Sequence, residues 1–214
     1  MYKLRKGFTL AEVLITLLII GVVSSIVIPG LISDMQDQQY KVAYKKAFAE
    51  ASLITRNALL TGAFVPRTSQ YDSNATLNNF NVFKNQFSIT KECNNNNNDQ
   101  CWNPSGEQAC TDGCSIYPQG LPYNTCRAFI DNSGMAWSMY TYSEDIILVD
   151  TNGNKGPNRY GKDRWMLLFK DKNNNYLTVG LPYKIGPAYN NDITSPSNLA
   201  CHYPPCYYIS WLKQ

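Results

Sequence analysis

KGFTLAEVLITLLIIGVV (residues 6–23) joins a basic residue and a glycine to a long apolar run that contains one carboxylate. From residue 8 to residue 28 the only ionisable side chain is Glu12. A helix needs about 20 mostly apolar residues to cross a bilayer, and this run satisfies that length. The stretch therefore predicts a membrane-spanning helix at residues 8–30.

The carboxylate of Glu12 is unexpected in such a helix. An acidic side chain at the centre of a membrane helix costs about 2.5–3.5 kcal/mol on insertion scales. That cost falls when the charge is paired, because an ion pair replaces part of the lost hydration. Glu12 therefore requires an explanation that the apolar run itself does not supply.

The formal net charge of +3 is supplied entirely by Lys3, Arg5 and Lys6. Basic residues before a membrane helix favour the cytoplasmic side, so we expect a single-pass protein of the inner (cytoplasmic) membrane with its N-terminus inside. A secretory signal peptide would end in a small-residue cleavage site, whereas Pro29 and Gly30 follow here. The nearly neutral remainder lacks the basic patch that nucleic-acid binding requires, so no nucleic-acid partner is predicted.

Helical periodicity resumes after Pro29, which we expect to kink the helix because proline removes one backbone hydrogen bond. Residues 31–62 form the predicted amphipathic continuation, and Gly62 is its predicted C-terminal cap. Steps of three and four residues relate the apolar positions of one face, which are Ala43, Ala47, Ala51, Ile54 and Ala58, with Tyr40, Tyr44 and Phe48 beside them.

Residues 63–214 form the predicted extracytoplasmic globular domain. Residues 63–126 show little periodicity and are expected to be irregular. After them, β-type patterns predict strands at residues 127–130, 135–142, 145–149, 165–170 and 176–179, with turns at residues 131–134 and 171–175. The predicted fold class is α+β: a long N-terminal helix packed on an antiparallel sheet of four or five strands, with cysteine-rich loops.

Seven cysteines follow the apolar run, at Cys93, Cys101, Cys110, Cys114, Cys126, Cys201 and Cys206. This density in a membrane-targeted chain predicts disulfides formed in an oxidising compartment, with the pairing left open and one thiol in excess if six pair. One expected bridge, Cys93–Cys101, would close the Asn-rich run at residues 94–98. Zinc is the weaker alternative, because no Cys-x-x-Cys pair occurs and His202 is the only histidine.

The segment KGFTLAEVLITLLIIGV (residues 6–22) resembles the N-terminal signal of type IV pilins and of the pseudopilins of type II secretion. The resemblance implies a leader peptide at residues 1–7, cleavage by a prepilin peptidase between Gly7 and Phe8, and N-methylation of Phe8. It also implies that Glu12 neutralises the terminal amine of an adjacent subunit in a filament. Pro29 matches the helix-breaking proline of these proteins, and their architecture is a long helix on a small antiparallel sheet.

The function implied by this resemblance is structural, not enzymatic: a fimbrium or pseudopilus subunit that polymerises through its N-terminal helix. Its expected partners are identical or related pilin subunits, the prepilin peptidase, an inner-membrane assembly platform, and membrane lipid before assembly. The assembled fibre would lie in the periplasm or at the cell surface. The alternative is a signal-anchored extracytoplasmic ligand-binding protein or enzyme that does not polymerise.

A second candidate site is the polar segment DTNGNKGPNRYGKD at residues 150–163. Its oxygen-bearing side chains are Asp150, Asn152, Asn154, Asn158 and Asp163. Calcium takes six to eight oxygen ligands, and these side chains with backbone carbonyls offer that chemistry. The equally weighted alternative is a rigid connection between strands that uses Asn, Gly and Pro for their turn conformations. No cofactor is required by the predicted function.

Overall fold

A computed structural model of the protein describes residues 7–69, 71–93, 101–102, 128–140, 146–153, 155–196, 201 and 204–213. Within it, backbone contacts divide the chain into two compact units, Met1–Gln39 and Tyr40–Gln214. The leader residues 1–6, Cys110, Cys114, Cys126, Asn154 and His202 lie outside the described residues, and the predictions made for them are not tested.

Helix α1 (Leu10–Leu60) is one uninterrupted helix that contains Pro29. The predicted spans at residues 8–30 and 31–62 are therefore parts of a single element, and the expected kink at Pro29 stays a prediction. The helix is long and apolar enough near its N-terminus to cross a membrane, and no residue of its most apolar window is buried by the described chain.

In the second unit, α1 buries one stripe against the core. The buried positions are Tyr44, Ala47, Ala51, Ile54, Thr55 and Ala58. The predicted stripe is confirmed from Ala47 onward, but Tyr44 and not Ala43 is buried at its start. The ring of Tyr44 stacks on Trp165, with centroids 3.8 Å apart and planes inclined by 13°. Alanines above and below leave room for this large pair, because they let the helix approach the sheet closely.

In the described part of the chain, the sheet has six antiparallel strands in chain order, each paired with the next. They are β1 (Ile89–Cys93), β2 (Ala128–Asp131), β3 (Ala136–Tyr140), β4 (Ile146–Asp150), β5 (Arg164–Lys170) and β6 (Lys184–Pro187). The α+β class is confirmed, and the predicted count of four or five strands is corrected to six. Every residue of β5 is buried, so this strand forms the centre of the core.

The turn between β2 and β3 confirms the predicted hairpin at residues 131–134. The carboxylate of Asp131 accepts hydrogen bonds from the backbone N–H groups of Ser133 (2.7 Å) and Met135 (3.1 Å). Its other oxygen accepts one from the indole N–H of Trp137 at 2.7 Å. Gly134 has φ of 86°, a conformation that side chains with a Cβ rarely adopt. This one carboxylate therefore links the turn to the aromatic core.

The predicted strand at residues 176–179 is wrong. Tyr176 makes only a single bridge to Lys170, after which the chain leaves the sheet to pair Gly180 with Arg67. The partner of β5 is instead β6, which begins at Lys184. The turn predicted at residues 171–175 is confirmed, since Asn174 takes φ of 68°. A β-type composition at residues 176–179 thus serves a contact with the segment after α1.

Residues 63–126 are not uniformly irregular, as the sequence had suggested. They include α2 (Ser73–Lys84), which Asp72 caps by accepting a hydrogen bond from Ala75 N–H at 3.0 Å, and they also include β1. Phe80 and Phe83 bury one face of α2. The Asn-rich composition conceals the helix, but the capping aspartate and the three-residue spacing of the phenylalanines are signals that could have revealed it.

Two of the predicted disulfides lie among the described residues. Cys93 at the end of β1 is bonded to Cys101, as expected, and Cys201 is bonded to Cys206. All four cysteines of these two bridges are buried. The second bridge lies just before the short C-terminal helix α3 (Ser210–Lys213). Disulfide formation agrees with an extracytoplasmic location for this unit.

Candidate functional site

The start of α1 is capped by reciprocal hydrogen bonds between Thr9 and Glu12. The Glu12 carboxylate accepts from the backbone N–H and the hydroxyl of Thr9, both at 2.8 Å. In return, the Glu12 backbone N–H donates to the Thr9 hydroxyl oxygen at 3.3 Å. This is a capping box, in which the residue before the helix and the third helical residue satisfy each other's backbone donors.

Glu12 consequently lies in the first turn of α1 and not near its middle. The full cost of a carboxylate at the centre of a membrane helix therefore does not apply, because the helix end lies closer to water. An acidic group in the first turn also interacts favourably with the positive end of the helix dipole. Thr9 is the capping partner of Glu12, which the sequence-based prediction missed although the pattern Thr-x-x-Glu indicates it.

Gly7 and Phe8 precede the helix and are exposed. A Cβ added at Gly7 would meet no atom within 4 Å, and Gly7 does not require a left-handed backbone. The fold of the chain therefore imposes no demand for glycine at this position. Phe8 is 89% exposed, so its backbone amine would be accessible after a cut before it.

At the second site, Asp150 at the end of β4 is paired with Arg164 at the start of β5. The guanidinium Nε donates to Asp150 Oδ2 at 2.8 Å, and both side chains are buried. Burial raises the pKa of Asp150 to about 7, while the charge of Arg164 acts in the opposite direction. Arg164 Nη2 also donates to the side-chain amide oxygen of Asn158, Oδ1, at 3.1 Å. The guanidinium group of Arg164 therefore contacts side-chain oxygens of both Asp150 and Asn158. The pattern of Asp and Asn residues in the sequence did not reveal this arginine.

Asp163 closes the loop from the other side. Its carboxylate accepts hydrogen bonds from the backbone N–H groups of Asn158 (2.8 Å) and Arg159 (2.7 Å) and from the side-chain amide of Asn152 (3.1 Å). Asn158 holds a left-handed conformation with φ of 56°, which places its N–H toward Asp163. The structure therefore brings Asp150, Asn152, Asn158 and Asp163 together in one hydrogen-bonded network.

These hydrogen bonds agree with the alternative of a rigid connection between strands, because the polar side chains of the loop are paired with donors and acceptors of the chain itself. Among the described residues, no group of three or more Asp, Glu, His or Cys side chains is placed to hold a metal ion. Asp150 already has a cationic partner, and Asp163 is surrounded by N–H donors, which repel a cation. Calcium binding stays a prediction for this loop.

A melting experiment separates the two alternatives. We expect the full-length protein in detergent to unfold at the same temperature with millimolar calcium as with a chelator, because Arg164 already supplies the positive charge that Asp150 needs. Magnesium at the same concentration is the control for ionic strength. A melting temperature that rises with calcium alone would establish the calcium site.

A long N-terminal apolar helix packed on an antiparallel sheet, with disulfides in the loops, defines a pilin-like α+β architecture. Residues 2–28 match the family model of the prokaryotic N-terminal methylation motif, which is the prepilin signal of type IV pilins and pseudopilins. No curated protein and no solved structure matches the chain at a significant level. The chain therefore carries a prepilin-type N-terminal signal, followed by an apolar helix that is long enough to cross a membrane.

Proposed function

We propose that the chain is a structural subunit of a type IV pilus or a type II secretion pseudopilus, processed by prepilin peptidase and polymerised through α1. The observation that carries the proposal is an apolar helix end that the described chain leaves uncovered, directly after a prepilin signal. Apolar surface of this extent requires lipid or neighbouring subunits around it. Membrane lipid covers it in the precursor, and neighbouring helices cover it in the fibre.

The assembly step would depend on the charge of Glu12. Cleavage before Phe8 creates a terminal ammonium group one residue before the capping box. When a processed subunit leaves the lipid, its Glu12 carboxylate pairs with the terminal ammonium group of an adjacent subunit. This ion pair avoids the cost of an unpaired charge in the apolar fibre core. Only one stagger of neighbouring helices satisfies this pair, so Glu12 acts mainly on the register of the subunits.

Substitution of Gly7 tests the processing step. We expect Gly7→Val to abolish cleavage and leave the precursor at full length, because the peptidase needs close approach to a backbone without a Cβ. Intact mass spectrometry of the membrane fraction measures the N-terminus, with the wild type expected to begin at an N-methylated Phe8. A mature N-terminus at Phe8 in the variant would contradict the proposal.

The matched control is Gly30→Val. An added Cβ at Gly30 also meets no atom within 4 Å, so both variants leave the packing of the single chain unchanged. We expect the control to be cleaved like the wild type. Electron microscopy of cells that produce the processed chain then decides between fibres and a cleaved, solitary membrane protein, which would favour the signal-anchored alternative.

A further inference from the structure

The two described disulfides come from distant parts of the chain, yet both lie near the connection between β4 and β5. Cys206 contacts this connection directly, and Cys101 precedes Trp102, which lies over Arg164 at the start of β5. We call the described residues of this connection, 151–153 and 155–163, the β4–β5 loop. It carries the hydrogen-bonded network around Asp163 and ends beside the buried pair of Asp150 and Arg164. Its closure therefore depends on groups that the loop itself does not contain.

The first disulfide acts through Trp102. Cys101, bonded to Cys93, directly precedes this tryptophan, which is 5% exposed. The Trp102 ring lies over the Arg164 guanidinium, with Cζ at 4.6 Å from the ring centroid. A cation over a buried indole face is attracted by the negative charge density of that face. The bridge therefore fixes the residue that covers the ion pair at the end of the loop.

The second disulfide touches the loop directly. Cys206 Sγ lies 3.3 Å from the Tyr160 carbonyl oxygen. A Cβ built on Gly161 would lie 2.2 Å from the same sulfur, so only glycine admits this contact, and Gly161 has φ of 84°. Cys206 is itself anchored to Ile193 by two backbone hydrogen bonds, of 2.9 and 3.0 Å. The bridge to Cys201 thus holds this sulfur against Tyr160 and Gly161, near the C-terminal end of the loop.

We propose that the β4–β5 loop is an oxidation-dependent element, closed only when Cys93–Cys101 and Cys201–Cys206 are both formed. Each bridge forms when two thiols transfer two electrons and two protons to the disulfide of a thiol oxidant, which is released as a dithiol. Before oxidation, Trp102 and Cys206 are held only by non-covalent contacts, without the cross-links to Cys93 and Cys201, and the loop opens more often. The globular unit therefore completes its fold only in an oxidising compartment. This inference does not depend on polymerisation.

Trypsin can measure the opening of the loop in the full-length protein in detergent. Lys155 and Arg159 are exposed loop residues. Lys172 is exposed in the turn at residues 171–175 and serves as an internal reference. Cleavage of a folded segment follows the population of its open form when opening and closing are fast. We expect Cys93→Ser/Cys101→Ser and Cys201→Ser/Cys206→Ser each to raise the cleavage rate at Lys155 and Arg159 about tenfold relative to Lys172.

Variants of Trp102 test the route while both disulfides stay intact. Trp102→Ala should raise loop cleavage about tenfold, because it removes the ring over Arg164, and Trp102→Phe should raise it less, because a ring is retained. Wild-type cleavage rates in the Trp102→Ala variant would overturn the proposal. So would an equal rise at Lys172 in the disulfide variants, since that result indicates global unfolding and no local element.

Discussion

Replacing Arg164 with alanine is expected to lower the free energy of unfolding by about 3–5 kcal/mol, the usual cost of removing one partner of a buried ion pair. Arg164 and Asp150 are almost completely inaccessible to water, and their side chains meet at 2.8 Å. The variant leaves a buried carboxylate without its cation and also removes the donor to Asn158. Denaturant unfolding of the full-length protein in detergent, followed by far-UV circular dichroism, measures the change.

The loss of stability in this variant should depend on pH. Burial already raises the pKa of Asp150 to about 7, and removal of Arg164 raises this pKa further. A carboxyl group with a raised pKa in the folded state contributes stability that is fully present below its unfolded pKa and is lost as the pH rises through its folded pKa. We therefore expect the variant to be less destabilised at about pH 5 than at about pH 8.

Two control variants make the result specific. Arg56 lies on the exposed face of α1, so Arg56→Ala should change stability by no more than about 0.5 kcal/mol. Arg164→Lys keeps the positive charge but loses the planar donor group, so it should recover only part of the stability. A loss below about 1 kcal/mol in Arg164→Ala, independent of pH, would show that the buried pair does not stabilise the β4–β5 loop.

Replacing Glu12 with alanine should leave cleavage intact and reduce assembled fibre by more than about tenfold, because the ammonium group of the neighbouring Phe8 loses its partner in an apolar core. Fibre sheared from cells and quantified against the processed membrane pool gives this ratio. Alanine also removes the capping box with Thr9, however, and a lost helix cap costs about 1 kcal/mol by itself.

Glu12→Gln separates these two effects. Glutamine at the third helical position can still accept the Thr9 N–H and complete the capping box, but it carries no charge. We expect Glu12→Gln to assemble as poorly as Glu12→Ala, and Thr9→Val, which keeps the carboxylate, to assemble well. Normal fibre yield from Glu12→Gln would mean that the helix cap and not the ion pair is what assembly requires.

Predictions from local sequence signals agree with the structure where neighbouring residues determine the backbone conformation. The turn at residues 131–134 is organised by the side chain of Asp131, and the turn at residues 171–175 uses the left-handed Asn174, so both follow from nearby residues. The segment at residues 176–179 has strand-like composition, but its conformation is decided by the pairing of Gly180 with Arg67, more than one hundred positions away. Composition could not predict that partner.

The sequence by itself determined the long apolar helix, the prepilin signal, the α+β class and the central strands, because each depends on apolar spacing or a short motif within one segment. Only the tertiary structure decided that Arg164 at the start of β5 pairs with Asp150, that Trp102 lies over Arg164, and that Cys206 contacts Tyr160. These contacts join residues that are distant in the chain. They exist only after the sheet has brought β4, β5 and the two disulfides together, so no local pattern records them.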